Sequence, residues 1–402
     1  MNILQIGTID NRGGAARVSY GLKTKLEQLG HTSNMFVSKK YSNDPHVHVI
    51  KTPFYKKIIC RFMGTDIDFW KTDFILKTEE FKKADLVHCH NLHGYYFNLK
   101  TLQKMSQQKP LIWTLHDMWA ITPYCHHTFS EVAKDGFFPC SGIETAPKFS
   151  WHDEPYLLRQ KKRIYDNSKI QIVTPSLWLK KKVEESILAK HPITQINNGV
   201  NTQIFQKYNQ TKAREELQLP VGKKIILFLA DGGKRNPWKD WKRIKNVIFH
   251  YKKNKNIFFL CIGGNKNINH SNIREIKYIS DDKRLSKFYS ASDLFILSSK
   301  AENSPLTILE AMACGTPIVS FNLGGINELI AHMENGYLAD YNKKENLIDG
   351  IEYLFSLNQE KLKKISNNSI KKIHDSFTLD LMVNGYLNLY KQILLQPNII
   401  KK

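Results

Sequence analysis

Two glutamates eight positions apart, Glu302 and Glu310, mark the stretch of sequence with the clearest chemical potential. The segment between them, ENSPLTILE, contains a Ser-Pro step followed by an apolar run. This combination predicts a helix with Ser304 as its N-cap and Pro305 as its first residue. Glu302 then precedes the helix, and Glu310 lies about a turn and a half inside it.

The predicted helix start between the two glutamates is suited to bind an anion. The first amides of a helix have no intrahelical partner, and the helix dipole favours negative charge there. Eight helical positions span roughly 12 Å, which is comparable to the span from a ribose to a sugar across a diphosphate. The order carboxylate, anion site, carboxylate therefore suits a sugar, a diphosphate and a ribose. On spacing alone, an ordinary first-turn glutamate and an exposed helical one explain the pattern slightly better.

Histidines follow two apolar segments that read as buried strands. His116, with Asp117, ends the segment LIWTLHD, where its ring can donate to a sugar hydroxyl or to a leaving oxygen. His90 and His93 come at the end of a second strand, in HCHNLHGYYF. Acceptor contact, metal binding and simple packing are the alternatives for this second pair.

Two loops carry groups that suit a phosphate. Gly13 and Gly14 stand between a strand and a helix, and adjacent glycines let the backbone approach a phosphate or a sugar closely. Their pattern is not GxGxxG, so the sequence gives little support to a nicotinamide cofactor. The loop DGGKRNPWKDW carries Arg235 and Lys239, which can neutralise charge on a departing diphosphate.

Cys125 and Cys140 bracket a polar loop that also contains His126 and His127. These four residues are candidates for a metal or redox site. The fourteen residues between the cysteines match no standard zinc spacing, so an ordinary loop is the alternative. Three other cysteines lie in apolar segments, which fits a reducing compartment.

Short apolar runs alternate with helical patterns along the whole chain, which predicts an α/β fold with parallel sheets. The predicted strands span 2–7, 32–38, 84–90, 111–117, 170–176, 224–230, 256–264, 274–280, 293–299 and 317–321. They predict two doubly wound domains, 1–195 and 196–375, with the strand ends facing an interdomain cleft. A final helical segment, 376–402, is expected to return to the first domain.

The composition limits the classes of partner. The 402 residues carry a net charge of +22, with 59 basic and 37 acidic side chains. Such an excess suits phosphorylated substrates or an anionic membrane as well as nucleic acid. The sequence has no basic tail and no recognised nucleic-acid motif that would support nucleic acid as the partner. The start NILQIG does not resemble a signal peptide, and no apolar run reaches the roughly 18 to 20 residues of a membrane span. We expect a cytoplasmic protein, with peripheral contact at the inner face of the cell membrane.

Taken together, these segments resemble glycosyltransferase family 4, retaining enzymes of the two-domain GT-B fold. The resemblance covers nearly the whole chain in order: the Gly-rich first loop, TLHD, INNGVN, the basic loop and ENSPLTILEAMACGTPIV. The last segment is similar to the family's E-x7-E signature with its GTP exit. HNLHGYY and HDMW followed by Cys125 further resemble a bacterial subgroup that builds capsular, colanic-acid-like or O-antigen polysaccharides.

The resemblance assigns roles to particular residues. Glu310 would hold the ribose of a UDP- or GDP-sugar, and Glu302 would approach the sugar and phosphate. The implied catalytic residues are His116, Glu302, Lys239 and Arg235. The implied donor-binding residues are Gly14, Asn303, Ser304, Pro305, Leu306, Thr307 and Glu310, and the implied acceptor-binding residues are Gly13, His90 and His93. Asn303 and Asp240 depart from the family, which often has glycine at both positions.

The resemblance also implies a reaction. A sugar would pass from the nucleotide to a glycan or a polyprenyl-diphosphate-linked acceptor, with retention of the anomeric configuration and with neither metal nor cofactor. Two other functions remain as alternatives. A nucleotide-sugar epimerase on the same scaffold would need no acceptor, and a non-catalytic binder of nucleic acid or membrane would show steep salt dependence.

Overall fold

A computed structural model of the protein describes residues 1–63, 65, 67–133, 136, 138–140, 154–229, 237–264, 267–270, 272–343 and 346–395. The chain divides into two compact units. Unit 1 comprises Met1–Asn197 and Met382–Lys402, and unit 2 comprises Asn198–Leu381.

Unit 1 alternates strands with helices. Its strands are β1 (Asn2–Ile9), β2 (Thr32–Lys39), β3 (Val47–Val49), β4 (Leu86–Cys89), β5 (Leu111–Thr114), β6 (Gln171–Thr174) and β7 (Ile193–Gln195). Its helices are α1 (Gly14–Gln28), α2 (Phe54–Met63), α3 (Glu79–Lys83), α4 (Leu99–Ser106), α5 (Glu154–Asp166) and α6 (Leu177–Glu184). Short 3-10 turns span Asp73–Lys77 and Trp119–Ile121.

The strands of unit 1 form one parallel sheet in the order β3, β2, β1, β4, β5, β6, β7. β4, β5 and β6 are buried along their whole length, as expected for a parallel sheet with helices on both faces. The sequence order reverses between β1 and β4, and ligands of such sheets bind outside the strand carboxyl ends at this point. The loops that leave β1, β4 and β5 there carry Gly13, His90 and His116.

Unit 2 repeats this organisation. Its strands are β8 (Lys224–Leu229), β9 (Ile257–Gly264), β10 (Ile268–Asn269), β11 (Ile273–Lys277), β12 (Leu294–Leu297), β13 (Ile318–Phe321) and β14 (Tyr337–Ala339). Its helices are α7 (Gln210–Glu216), α8 (Trp241–His250), α9 (Asp282–Ala291), α10 (Leu306–Ala313), α11 (Ile326–Leu329), α12 (Asn346–Ser356) and α13 (Gln359–Ser376). A 3-10 turn spans Pro237–Lys239.

The sheet of unit 2 has the order β10, β11, β9, β8, β12, β13, β14. β10 pairs antiparallel with β11, and the other neighbours are parallel. In this sheet the sequence order of the strands reverses between β8 and β12. The segment after β8 leads to Lys239, and the loop after β12 carries Glu302, so the two adjacent strand ends position these side chains.

The last helix, α14 (Leu379–Leu395), begins in unit 2 and belongs to unit 1 from Met382 onward. Two of its tyrosines are fully buried there. Tyr390 Oη lies 2.7 Å from His88 Nδ1, and Tyr386 Oη lies 3.0 Å from Thr114 Oγ1. The predicted return of this helix to the first domain is confirmed.

The α/β class, the two parallel sheets and all ten predicted strands are confirmed, with ends shifted by a few residues. The sequence pattern did not reveal β3, β7, β10 and β14. Each has only two or three residues, too few to establish the alternation or the apolar run by which a strand is recognised.

Candidate active site

The loops after β8 and β12 are joined by hydrogen bonds. Ser298 Oγ donates to the Lys239 carbonyl at 2.7 Å, and the Lys300 amide donates to the Trp238 carbonyl at 2.9 Å. Neighbouring parallel strands end at the same edge of a sheet, so their loops can make these contacts. The bonds fix the backbone on both sides of the Lys239 side chain.

Lys239 and Glu302 form an ion pair in unit 2. Lys239 Nζ donates to Glu302 Oε1 at 2.7 Å and to Ser299 Oγ at 3.1 Å. The lysine side chain is 23% exposed and the glutamate side chain 17% exposed. The structure therefore brings the predicted cation and the first predicted carboxylate together at the edge of the sheet.

A glycine supports the backbone of Glu302 from the neighbouring loop. Gly324 follows β13 and has φ +59°, a left-handed conformation that glycine adopts readily. A Cβ at this position would lie 1.8 Å from the Glu302 carbonyl oxygen. Only glycine therefore lets the loop after β13 pack directly against the loop that carries Glu302.

The helix start between the glutamates differs in one respect from the prediction. Pro305, in an extended conformation (φ −72°, ψ 122°), is the N-cap, and α10 begins at Leu306. The predicted assignment of Ser304 as N-cap is wrong, because its carbonyl accepts a 3.0 Å bond from Asn198 Nδ2 rather than the first helical bond. The Pro305 carbonyl instead accepts the amide of Ile308 at 3.1 Å.

Two hydroxyls at this helix start are buried without a hydrogen-bond partner among the described residues. They are Ser304 Oγ and Thr307 Oγ1. Asn303, immediately before them, is also buried. A buried hydroxyl normally has a partner, and leaving one unpaired costs about 1–3 kcal/mol. Together with the first-turn amides of α10, these groups can donate hydrogen bonds to an anion.

Glu310 lies inside α10 and is 1% exposed. Its Oε2 accepts a hydrogen bond from Tyr289 Oη at 2.9 Å. Tyr289 comes from α9 and is itself fully buried. The second predicted carboxylate is therefore held in place by an aromatic side chain that no motif in the sequence had indicated.

In unit 1, His116 belongs to a chain of four polar side chains. Its Nε2 lies 3.0 Å from His90 Nδ1, and His90 Nε2 lies 3.1 Å from Gln5 Oε1. Gln5 Nε2 in turn donates to Ser33 Oγ at 3.1 Å. Burial lowers the pKa of His116 to about 4 and that of His90 well below its usual value, so both rings are neutral at pH 7.

This chain defines the tautomer of each histidine. The Gln5 amide donates to Ser33, so its oxygen faces His90, and His90 Nε2 must carry the proton. His90 Nδ1 then accepts from His116 Nε2, which leaves Nδ1 as the basic nitrogen of His116. His90 is only 2% exposed, and both of its nitrogens are used in this chain.

A second polar group surrounds Asp117. His93 Nε2 lies 2.9 Å from Asp117 Oδ2, and the rings of His93 and His126 are 4.1 Å apart between centroids. Burial works to raise the pKa of Asp117, but the charge and hydrogen bond of His93 hold it below its usual value. Burial lowers the pKa of His126 to about 3.

The two loop cysteines, Cys125 and Cys140, form a disulfide bond. Their sulfurs are therefore bonded to each other and do not act as thiolate ligands in this structure. Of the two loop histidines, His126 joins His93 and Asp117. The sequence placed these residues in three separate candidate groups, and the fold combines them differently.

Gly13 is the residue before α1 and has φ +89° and ψ 162°, a conformation that favours glycine. An added Cβ on Gly13 or on Gly14 would meet no heavy atom within 4 Å among the described residues. These glycines therefore leave open space at the first turn of α1, as close approach of a ligand to the backbone requires.

The predicted set is thus divided between the two units. Arg235 lies outside the described residues. Pro305 is buried, and Leu306 and Thr307 are partly exposed at the first turn of α10. The supporting residues Gln5, Tyr289 and Gly324 were missed. Only Gln5 had left a signal, as a lone amide inside the apolar strand NILQIG.

Two doubly wound units, with the candidate site residues in loops at their strand carboxyl ends, define an α/β protein of the doubly wound class. A family described as "Glycosyltransferase Family 4" matches residues 12–204, and one described as "Glycosyl transferases group 1" matches residues 209–372. The two matches together span most of the chain, which belongs to the glycosyltransferases built from these two domains.

Curated relatives support this membership. The chain is 24% identical over 353 residues to the putative colanic acid biosynthesis glycosyl transferase WcaC of Escherichia coli, covering 82% of this chain and 85% of the relative. It is 21% identical over 224 residues to the N-acetyl-alpha-D-glucosaminyl L-malate synthase of Bacillus anthracis. That alignment covers 53% of this chain and spans 57% of the relative's length.

Solved structures share the fold. Anabaena HepE in complex with UDP-glucose matches with a TM-score of 0.68 at 15% identity, covering 97% of this chain and 99% of HepE. The fold is the GT-B fold of two Rossmann-like domains, as the resemblance implied.

Proposed function

We propose that the protein transfers a sugar from a UDP- or GDP-sugar to a hydroxyl of a saccharide acceptor. The observation that carries this proposal is the helix start of α10. Two buried hydroxyls there, on Ser304 and Thr307, have no partner among the described residues. A diphosphate would satisfy them, together with the first amides of the helix.

The groups around this helix start suit the two ends of a nucleotide sugar. Lys239 lies next to Glu302 at 2.7 Å and can neutralise the charge that develops on a departing diphosphate. Glu302 would face the sugar. Glu310, further along the helix, would accept from the ribose hydroxyls. Lys239 and the helix amides would supply the positive charge without a metal.

In unit 1, His116 is the proposed contact to the reacting sugar. Its neutral ring can hydrogen-bond a hydroxyl without adding a charge. His90 and Gln5 would act as positioning residues, because their bonds determine the tautomer and the orientation of His116. Gly13 and Gly14 leave open space for an acceptor or a phosphate at the start of α1.

The resemblance to retaining enzymes supports transfer with retention of the anomeric configuration. The leaving diphosphate would assist the incoming hydroxyl on the same face of the sugar. The relative named for colanic acid biosynthesis supports a glycan or polyprenyl-diphosphate-linked acceptor in surface polysaccharide synthesis.

We further propose that α2 contacts an anionic membrane from the cytoplasmic side. Within the described residues, no helix is both long and apolar enough to span a bilayer. α2 instead exposes Tyr55, Ile58 and Phe62 by 61%, 57% and 63% on one face. Basic residues alternate with them in the sequence FYKKIICRFM. Such a basic, apolar helix suits the interface of an anionic bilayer.

The experiment is a nucleotide-release assay with a panel of UDP- and GDP-sugars, with and without isolated lipid-linked saccharides. We expect one donor to be consumed only when the acceptor is present, and NMR of the product to show the donor's anomeric configuration. Lys239→Ala should lower kcat by about 100-fold, as expected when a group that stabilises developing charge is removed.

The matched control is Lys242→Ala, which removes an exposed lysine three positions away and should leave kcat unchanged. Equal activity of Lys239→Ala and wild type would contradict the proposed role of the lysine. Conversion of a nucleotide sugar alone into its epimer would contradict the proposed transfer.

A further inference from the structure

The group formed by His93, Asp117 and His126 is not needed for the proposed handling of the donor. Each residue offers one ligand atom, and these atoms lie within 4.8 Å of one another. No other group of three or more such side chains meets this condition in the described part of the chain. All three side chains are partly buried.

The spacing is close to that of a metal centre. His93 Nε2 and Asp117 Oδ2 are 2.9 Å apart. Ligand atoms at about 2.0–2.2 Å from a tetrahedral zinc ion lie roughly 3.3–3.5 Å from each other. The first pair is now hydrogen-bonded and must open by about 0.5 Å to reach this separation, and the ligand atom of His126 lies within 4.8 Å of both.

The backbone around the group is fixed, as metal ligands require. The Trp119 amide donates to Asp117 Oδ1 at 2.9 Å, so the other carboxylate oxygen faces His93. The Met118 amide donates to the His126 carbonyl at 2.7 Å, which holds the two chain segments together. Thr8 Oγ1 donates to the His93 carbonyl at 3.2 Å.

The donor set selects the class of metal. Two imidazoles and one carboxylate suit a first-row transition metal such as Zn²⁺ rather than Ca²⁺ or Mg²⁺, which prefer oxygen ligands. The disulfide between Cys125 and Cys140 removes both thiolates from the ligand set. It also closes the loop that begins next to His126.

We propose that His93, Asp117 and His126 bind one Zn²⁺ ion, with a fourth coordination position for an oxygen ligand. The ion joins the loop after β4 to the loop after β5, immediately beside His116. The proposed donor site lies in unit 2 and uses Lys239 and helix amides, so this zinc site goes beyond the proposed transfer and does not depend on it.

The test uses the full-length chain without a histidine tag, dialysed against a chelator and then titrated with Co²⁺ as a spectroscopic substitute for Zn²⁺. We expect one equivalent of Co²⁺ to produce visible d–d absorption bands of a four-coordinate centre, which Zn²⁺ then removes. Elemental analysis should find one zinc per chain after reconstitution. Absence of uptake by the wild-type protein would overturn the proposal.

Variants locate the site. His126→Gln and Asp117→Asn should weaken Co²⁺ binding by more than the roughly 10- to 100-fold lost when outer-sphere partners of ligands are changed. His127→Gln, at the neighbouring position outside the cluster, should bind as wild type does. Far-UV circular dichroism verifies that each variant is folded. Equal losses in His126→Gln and His127→Gln would contradict the ligand assignment.

A last measurement separates this site from a cysteine site. The titration is repeated after reduction of the disulfide. A near-ultraviolet thiolate-to-cobalt band would show that Cys125 or Cys140 is a ligand and would overturn the proposed donor set. We expect no such band and unchanged stoichiometry.

Discussion

At the scale of single residues, the helix start of α10 shows how binding and stability oppose each other. Ser304 and Thr307 each bury a hydroxyl that has no partner among the described residues. The folded protein without ligand therefore carries a cost at the position where a phosphate would be bound. Thr316 provides the contrast, because its buried hydroxyl donates to the Tyr289 carbonyl at 2.8 Å.

Substitution by valine should change the stability of the protein in opposite directions at Thr307 and at Thr316. Thr307→Val removes an unpaired hydroxyl and keeps the shape, so the free energy of unfolding without ligand should rise by about 1 kcal/mol. Thr316→Val removes a paired hydroxyl, and the Tyr289 carbonyl keeps only the Ser292 amide as a donor, so the free energy of unfolding should fall by about 1 kcal/mol. Urea unfolding by circular dichroism measures both. A loss of stability in Thr307→Val would show that its hydroxyl has a partner in the free protein.

His88 should make stability depend on pH. Burial lowers its pKa from 6.5 to about 3, with a smaller contribution from His116. The unfolded chain therefore binds a proton that the folded chain does not, and stability is full above pH 6.5 and is lost as the pH falls below it. The slope is about 1.4 kcal/mol per pH unit for each such histidine.

Replacing His88 should remove the contribution of this histidine to the pH dependence of stability. Urea midpoints of His88→Gln between pH 7.5 and 4.5 should fall less steeply than those of wild type. His250→Gln, which changes an exposed histidine on α8, serves as the control and should keep the wild-type slope. A slope for His88→Gln equal to that of wild type would contradict the account of its burial.

At the scale of elements, the site of unit 2 depends on loops that leave neighbouring strands. β8, β12 and β13 are adjacent in the sheet, and their following loops carry Lys239, Glu302 and Gly324. The sequence predicted the first two because each stands after a recognisable apolar strand. It could not predict that Gly324 supports Glu302, because that contact joins residues 22 positions apart.

Gly324→Ala should disturb the Glu302 loop. The added Cβ would lie 1.8 Å from the Glu302 carbonyl at φ +59°, so the loop must move, and stability should fall by more than about 1 kcal/mol. Donor affinity should fall as well. Gly222→Ala is the control, because a Cβ there meets no described heavy atom within 4 Å. Equal melting temperatures of the two variants would refute this role of Gly324.

Pairings between distant residues limited what the sequence could predict at this scale. The motif around Glu302 and Glu310 predicted a helix, and it predicted that the helix start lies between the two carboxylates. Tyr289, which donates a hydrogen bond to Glu310, belongs to another helix. No sequence motif links the two positions. His126 likewise joins His93 only because the loop after β5 folds back.

At the scale of the whole molecule, the alternation of strands and helices was sufficient to predict two parallel sheets. The return of the last helix was predicted because no strand follows it. The net charge of +22 identified no partner by itself. The exposed apolar face of α2 gives this charge a specific interpretation, because apolar side chains and basic residues together suit an anionic bilayer. Only the structure shows that the apolar side chains Tyr55, Ile58 and Phe62 are exposed.

The membrane proposal predicts flotation with liposomes that contain anionic lipid. Binding should weaken as salt rises, because the screening length falls from about 10 Å at 0.1 M to about 3 Å at 1 M. Ile58→Asp combined with Phe62→Asp should abolish flotation. Phe249→Asp, which changes a phenylalanine 69% exposed on α8, should not. Flotation of the double variant at the wild-type level would exclude α2 as the contact.

The central claim is that the start of α10 holds the diphosphate of a nucleotide sugar. Isothermal titration of wild type, Thr307→Val and the control Ser356→Ala with UDP and with GDP tests it most directly. We expect one nucleotide to bind wild type and the control equally. Thr307→Val should bind it roughly 10- to 100-fold more weakly, since a hydrogen bond to a charged group contributes about 1.5–3 kcal/mol. Equal affinity of Thr307→Val and wild type would contradict the account.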